Sequence, residues 1–113
     1  MLETAAYLLG RHPGLPIFID GRTFSRAYQV QSAIAAAGRI STSCRIIECV
    51  CAEETARQRL KASHETHLAR NRTYELYKKL QAEFEPIPDP KLVVNTDKPL
   101  ADCIARALPY LAL

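Results

Sequence analysis

The chain has 113 residues, enough for one small domain. Its 48% hydrophobic content argues against a disordered chain, and no apolar run approaches the roughly 18 residues a membrane span needs. The net charge of +3 is too mild to argue for nucleic acid, although it fits an anionic ligand if the charge is clustered.

Leu2, Ala5, Ala6 and Leu9 fall at helical spacing, with Gly10 as a stop. No basic region followed by an apolar stretch opens the chain, so a secretory leader is not expected. The expectation is a cytoplasmic protein with reduced cysteines. Pro13 and Gly14 then turn the chain into Pro16, which is tolerable as a first strand residue. Ile17, Phe18 and Ile19 run straight into Asp20 and Gly21. Three apolar residues, two of them β-branched, predict a strand buried on both faces of a parallel sheet.

Ser25 is placed to cap the next helix. Val30, Ala33, Ile34 and Ala37 form its apolar stripe, and Gly38 is its stop. Residues 44–50 (CRIIECV) predict a second strand, which would make residues 17–50 a βαβ unit with a right-handed crossover. Glu48 interrupts that strand and needs a partner that the sequence does not name.

Glu53 and Glu54 open a third helix, and Arg57, Arg59 and Lys61 close it, a polarity that complements the helix dipole. Residues 63–71 read as polar and irregular. Leu76, Tyr77, Leu80 and Phe84 mark a helix over residues 73–84, stopped by Pro86, Pro88 and Pro90. Residues 91–95 predict a third strand. Asp97 is placed to cap the last helix, and Pro99 fits its first turn. Leu100, Cys103, Ile104, Ala107, Leu108 and Leu111 give that helix a wide apolar stripe, which Pro109 should kink or end. The whole order, αβαβααβα, predicts an α/β protein. The expected architecture is three layers around a mainly parallel sheet of about three strands with flanking helices, in a single domain over residues 1–113.

Asp20 is the first candidate site residue. Open α/β sheets bind ligands beyond the carboxyl ends of their strands. Kinase and nucleotide-hydrolysing folds hold a carboxylate near Mg²⁺ at such an end. Its plain structural use would be as a turn cap. His64 and His67 are three apart, which is not the i, i+4 spacing of a zinc-binding helix, and they read as polar residues of a loop. Cys49 and Cys51 share one strand face but lack a second pair at metal-binding spacing, so buried reduced thiols are expected and no metal site is. Tyr74, Tyr77 and Phe84 sit at helical spacing and read as packing rather than base-stacking groups.

Five stretches then carry a family resemblance. They are ETAAYLL (3–9), IFIDGRTFSRAYQV (17–30), RIIECVCAEETARQRL (45–60), NRTYELYKKLQAEFEPI (71–87) and KLVVNTDKPL (91–100). In order and spacing they resemble the latter part of the P-loop kinase-like ATP-binding proteins, the AAA-type group related to polynucleotide kinase and zeta toxin. The resemblance implies an ATP-dependent phosphotransferase lineage using Mg²⁺. It implies that Asp20, Thr23 and Arg59 lie on the cofactor side. It also implies that residues 61–86 form a lid-like helical segment, with Lys61 in its basic set and Arg70 and Arg72 as the arginines that stabilise the transferring phosphoryl group. Ser63 departs from the pattern, where another arginine is expected.

Members of that family carry a G-x-x-x-x-G-K-[ST] loop whose backbone N–H groups cradle phosphates. Residues 1–113 contain no such motif; their glycines are Gly10, Gly14, Gly21 and Gly38. The resemblance therefore implies the family fold without its first nucleotide-binding segment. The strand before that loop lies, in the family, between the strand of residues 17–20 and the strand of residues 45–50. Without it both strands lose backbone partners, at about 1–3 kcal/mol per unpaired buried group, against a total stability of about 5–15 kcal/mol. The expectation is that ATP and Mg²⁺ do not bind tightly and that the chain does not catalyse. The two strands should pair directly or recruit another chain, either as a homo-oligomer or with a P-loop-bearing partner. A non-enzymatic oligomerisation or partner-binding domain is the alternative to an ATP-binding kinase-like role.

Overall fold

Two parallel strands, β1 (Ile47–Val50) and β2 (Leu92–Asn95), form the sheet among the described residues. Their register sets Ile47 opposite Leu92, Glu48 opposite Val93, Cys49 opposite Val94 and Val50 opposite Asn95. In this computed structural model the described residues are 2–20, 24–66 and 74–111, with no side chains described for residues 63–66. Five helices accompany the strands: α1 (Leu2–Arg11), α2 (Ala27–Arg39), α3 (Glu53–Thr66), α4 (Tyr74–Glu83) and α5 (Leu100–Leu111). The chain is thus broadly α/β. The connection that makes the strands parallel runs through α3 and α4. Among the described residues no helix is long and apolar enough to cross a membrane.

The chain divides into two compact units. One comprises Met1–Cys44 with Glu85–Pro88, and the other Arg45–Phe84 with Asp89–Leu113. In the first, α1 packs on α2. Leu2, Ala5, Ala6 and Leu9 are half-buried there, and Val30, Ala33, Ile34 and Ala37 turn inward from α2, as their spacing predicts. Gly10 does not stop α1, which runs on to Arg11. Ser25 does not cap α2. The cap residue is Arg26, whose N–H donates to Gln29 Oε1 at 3.0 Å, and Glu85 Oε1 accepts from the Ala27 N–H at 3.0 Å. A carboxylate at this position complements the positive end of the helix. Gly38 does not stop α2 either. The helix ends one residue later, and Ser41 adopts the left-handed conformation (φ 54°), with the Thr42 N–H returning to the Ala37 carbonyl at 3.0 Å.

The expected strand at residues 17–20 is not formed. These residues have no regular secondary structure, Phe18 is 67% exposed, and Asp20 is exposed as well. The expected βαβ unit over residues 17–50 falls with it, and so does direct pairing of its two strands. An apolar run is necessary for a buried strand but supplies no partner, and an unpartnered strand is not stable in water.

In the second unit α5 packs on β2, and α4 packs on α3. Val94 and Ala56 are its buried apolar residues among those described. Residues 63–66 are helical rather than irregular, because α3 continues to Thr66. Pro109 lies inside the last turn of α5 and removes one ladder donor without ending the helix. The stripe of α5 is split. Cys103, Ala107 and Leu111 are half-buried, whereas Leu100, Ile104 and Leu108 are exposed. Cys49 is exposed rather than buried, and none of the four cysteines is in a disulfide.

Candidate functional site

The carboxyl ends of the two strands meet the start of α3 around Thr96. The Thr96 N–H and hydroxyl both donate to the Val50 carbonyl, at 2.7 and 3.0 Å. Arg59, at the middle of α3, donates from Nη1 to Thr96 Oγ1 at 2.9 Å and from Nη2 to the Thr96 carbonyl at 2.7 Å. Asp97 follows. Its Oδ2 accepts the Ala52 N–H at 2.8 Å, while its own N–H donates to Asn95 Oδ1 at 2.9 Å. The Thr55 hydroxyl, and then the Ala52 N–H, hold the Asp97 carboxyl below its ordinary range. Asp97 therefore caps the start of α3, not α5 as its position in the sequence predicts. The strand pairing brings residue 97 to the amino end of a helix that begins 44 positions earlier.

Beside this junction lies an open cavity of about 490 Å³. Ile47, Cys49 and Val94 form its floor, and Leu100 and Ile104 come from α5. Arg59 and Lys98 add two cations, and Thr96 a hydroxyl, to a mostly apolar lining. Such an arrangement suits an apolar group that carries a negative charge at one end.

The two edges of the sheet differ. Leu92 N–H donates to the Ile46 carbonyl at 2.9 Å, and Thr96 N–H to the Val50 carbonyl. This ladder phase aims the backbone groups of Ile47 and Cys49 away from β2. On the far edge of β2, Arg106 Nη1 donates to the Val93 carbonyl at 3.0 Å, and the Cys103 thiol reaches the Asn95 carbonyl at 3.5 Å. Side chains of α5 thus occupy the β2 edge. The β1 edge has no strand beside it among the described residues.

Two further features support the site. Glu48 finds Lys91, with Nζ 2.5 Å from Oε2 and both side chains about three-quarters buried. Tyr74 joins α4 to α3: its hydroxyl donates to Glu53 Oε1, the Arg57 guanidinium lies 4.8 Å from its ring centroid, and its ring stacks on Tyr77 at 6.2 Å. The Tyr74 hydroxyl, and then Lys78, hold the Glu53 carboxyl low. Burial pushes the Tyr77 hydroxyl up. Both tyrosines serve packing between helices, as their spacing predicts, while Phe84 is 41% exposed.

Of the site residues expected from the sequence, Asp20 lies in the first unit and Arg59 in the second. Thr23, Arg70 and Arg72 lie outside the described residues, as do His67 and the side chain of His64. Most of the lid-like segment expected over residues 61–86 is described only as the end of α3 and the whole of α4. Arg59, expected on the cofactor side, is engaged on Thr96, and residues 1–113 hold no Gly-Lys-Ser/Thr. Among the described residues no cluster of three His, Cys, Asp or Glu is placed to hold a metal ion. Sequence reasoning missed Thr96 and Lys98. The run Asn95-Thr96-Asp97 directly after an apolar strand was the signal, since all three types bond readily to nearby backbone. Comparison of the chain with protein-family models, with curated proteins and with solved structures finds no match.

Proposed function

We propose that residues 1–113 are a non-catalytic oligomerisation or partner-binding module of ATP-binding, kinase-like P-loop ancestry. One observation carries the reading: β1 offers backbone groups at Ile47 and Cys49 to an edge that no described strand occupies. Exposed strand edges are templates for pairing with another chain. The parallel β1–β2 pair with its helical connection is compatible with the ancestry, and so is the failure of residues 17–20 to form a strand in the absence of a central one. Arg59 supports a structural rather than a catalytic role, since its guanidinium anchors Thr96.

Calorimetric titration of the chain with ATP in the presence of Mg²⁺ tests the reading. No heat attributable to micromolar binding is expected, and incubation with labelled ATP should yield no phosphoryl transfer. Micromolar affinity or a turnover would overturn it in favour of an active nucleotide-binding domain.

A further inference from the structure

We propose that residues 16–20 of a second copy of this chain add to the open edge of β1 as a third, parallel strand, with Asp20 arriving at the end marked by Arg59 and Lys98. The inference rests on the oligomerisation reading and names the partner and its contact. Each copy holds one open strand edge and one extended segment, in which Ile17 and Ile19 are half-buried and Phe18 is exposed. The edge is four residues long, Ile47–Val50, and is flanked by the apolar cavity. The segment Ile17-Phe18-Ile19-Asp20 matches it in length, and none of its residues hydrogen-bonds to another described residue. Phe18, 67% exposed, is a large apolar side chain without cover.

Lys98 sets the direction. A parallel strand ending in Asp20 sets its carboxylate beside the carboxyl end of β1. Thr96 lies there with Arg59 bonded to it and facing the Asp97 carboxylate, and Lys98, two residues later in the cavity lining, is the cation left to meet a second carboxylate. An antiparallel strand would instead send the carboxylate toward Arg45, whose guanidinium already lies over the Tyr110 ring, 5.9 Å from its centroid. Reciprocal exchange between two copies satisfies both edges and closes the assembly, whereas a one-way exchange propagates. Backbone hydrogen bonds supply the affinity in such strand addition, and alternate side chains supply the selectivity.

The test is the mass of the full chain in solution, by light scattering or sedimentation equilibrium across the micromolar range. The expected result is association above the monomer mass of 12.6 kDa. Alternate N–H groups of an added strand face β1, so Phe18→Pro or Ile19→Pro must remove a ladder bond, and at least one should return the chain to monomer. The helical circular-dichroism signal should be unchanged in both, because residues 17–20 lie in no helix. Asp20→Lys, an exchange at an exposed position, should weaken association at least tenfold, and Asp20→Lys combined with Lys98→Glu should restore it. A chain that is monomeric throughout overturns the proposal. So does association that neither proline alters, which would leave the oligomerisation reading standing on another surface. Association lost with proline but untouched by Asp20→Lys overturns the parallel arrangement. The ATP titration tests the non-catalytic reading independently of all three.

Discussion

Arg59 and Thr96 lock the end of one strand to the flank of a helix: two guanidinium nitrogens of Arg59 reach the hydroxyl and the carbonyl of one threonine, at 2.9 and 2.7 Å. The residues are 37 positions apart, so the contact closes a loop that takes in the rest of α3, all of α4 and β2. Hydrogen bonds from charged donors contribute about 1.5–3 kcal/mol, less where water competes. Arg59 is exposed, and Arg59→Ala should therefore cost about 1 kcal/mol, read as a lower urea midpoint with unchanged slope. Arg59→Lys keeps the charge but not the fork and should recover only part of the loss. A full recovery by lysine would mean that charge, not geometry, matters here.

Asp97 predicts an acid-sensitive cap. Its carboxyl titrates lower in the folded chain because Thr55 and the Ala52 N–H bond to the ionised form. A depressed folded pKa gives stability that is fully present above the unfolded value and lost as pH falls through the folded one. Below about pH 4 the urea midpoint should fall, and Asp97→Asn, which retains a capping oxygen, should show a shallower fall. Glu53, held low by Tyr74 and Lys78, adds to the same acid limb. The Asp97→Asn/Glu53→Gln pair should therefore be flatter still. Equal acid slopes in all three proteins would remove the cap from the account.

Much of the fold was legible locally. The stripes of α1 and α2 face inward as their spacing predicts, and Glu53 and Glu54 do open α3. What the sequence could not show is which element meets which. Ile17, Phe18 and Ile19 carry a strand's composition, but pairing is decided by a neighbour, and none of the described residues provides one. Asp97 has a capping side chain, yet the helix it caps is chosen by the strand register. The α5 stripe contains six apolar positions, and only contact with β2 decides that Cys103 and Ala107 turn inward while Leu100 and Ile104 stay exposed. The candidate site followed the same rule. Arg59 was legible as a basic residue of interest, but its partner Thr96 was not.

Ser41 predicts a stabilising change. It holds φ 54° at the end of α2, a conformation in which Cβ crowds the backbone. Glycine removes that penalty but gains freedom in the unfolded chain, so the two effects partly offset. Ser41→Gly should raise stability by about 0.5–1 kcal/mol, and Ser41→Val should lower it by more than that, since a β-branched residue resists this conformation most. Both are read by thermal unfolding. A destabilised Ser41→Gly would show that the hydroxyl, not the backbone angle, decides the position.

Glu48 and Lys91 test how a half-buried ion pair contributes to the sheet. The side chains are 26% and 24% exposed, and the charges are 2.5 Å apart. Removing one partner leaves the other charge on a largely covered surface, where an unpaired polar group costs about 1–3 kcal/mol. Lys91→Met should therefore destabilise by about 1–2 kcal/mol, and Glu48→Leu by a similar amount. The double variant should be close to wild type, because desolvation of the pair cancels much of its attraction and leucine suits the strand position better than glutamate. The coupling read from this cycle should exceed that of the exposed pair Arg57–Glu54, whose groups are 56% and 63% exposed at 3.6 Å. Additive single losses would mean that the two charges act separately, and that Glu48 is tolerated in β1 by water rather than by Lys91.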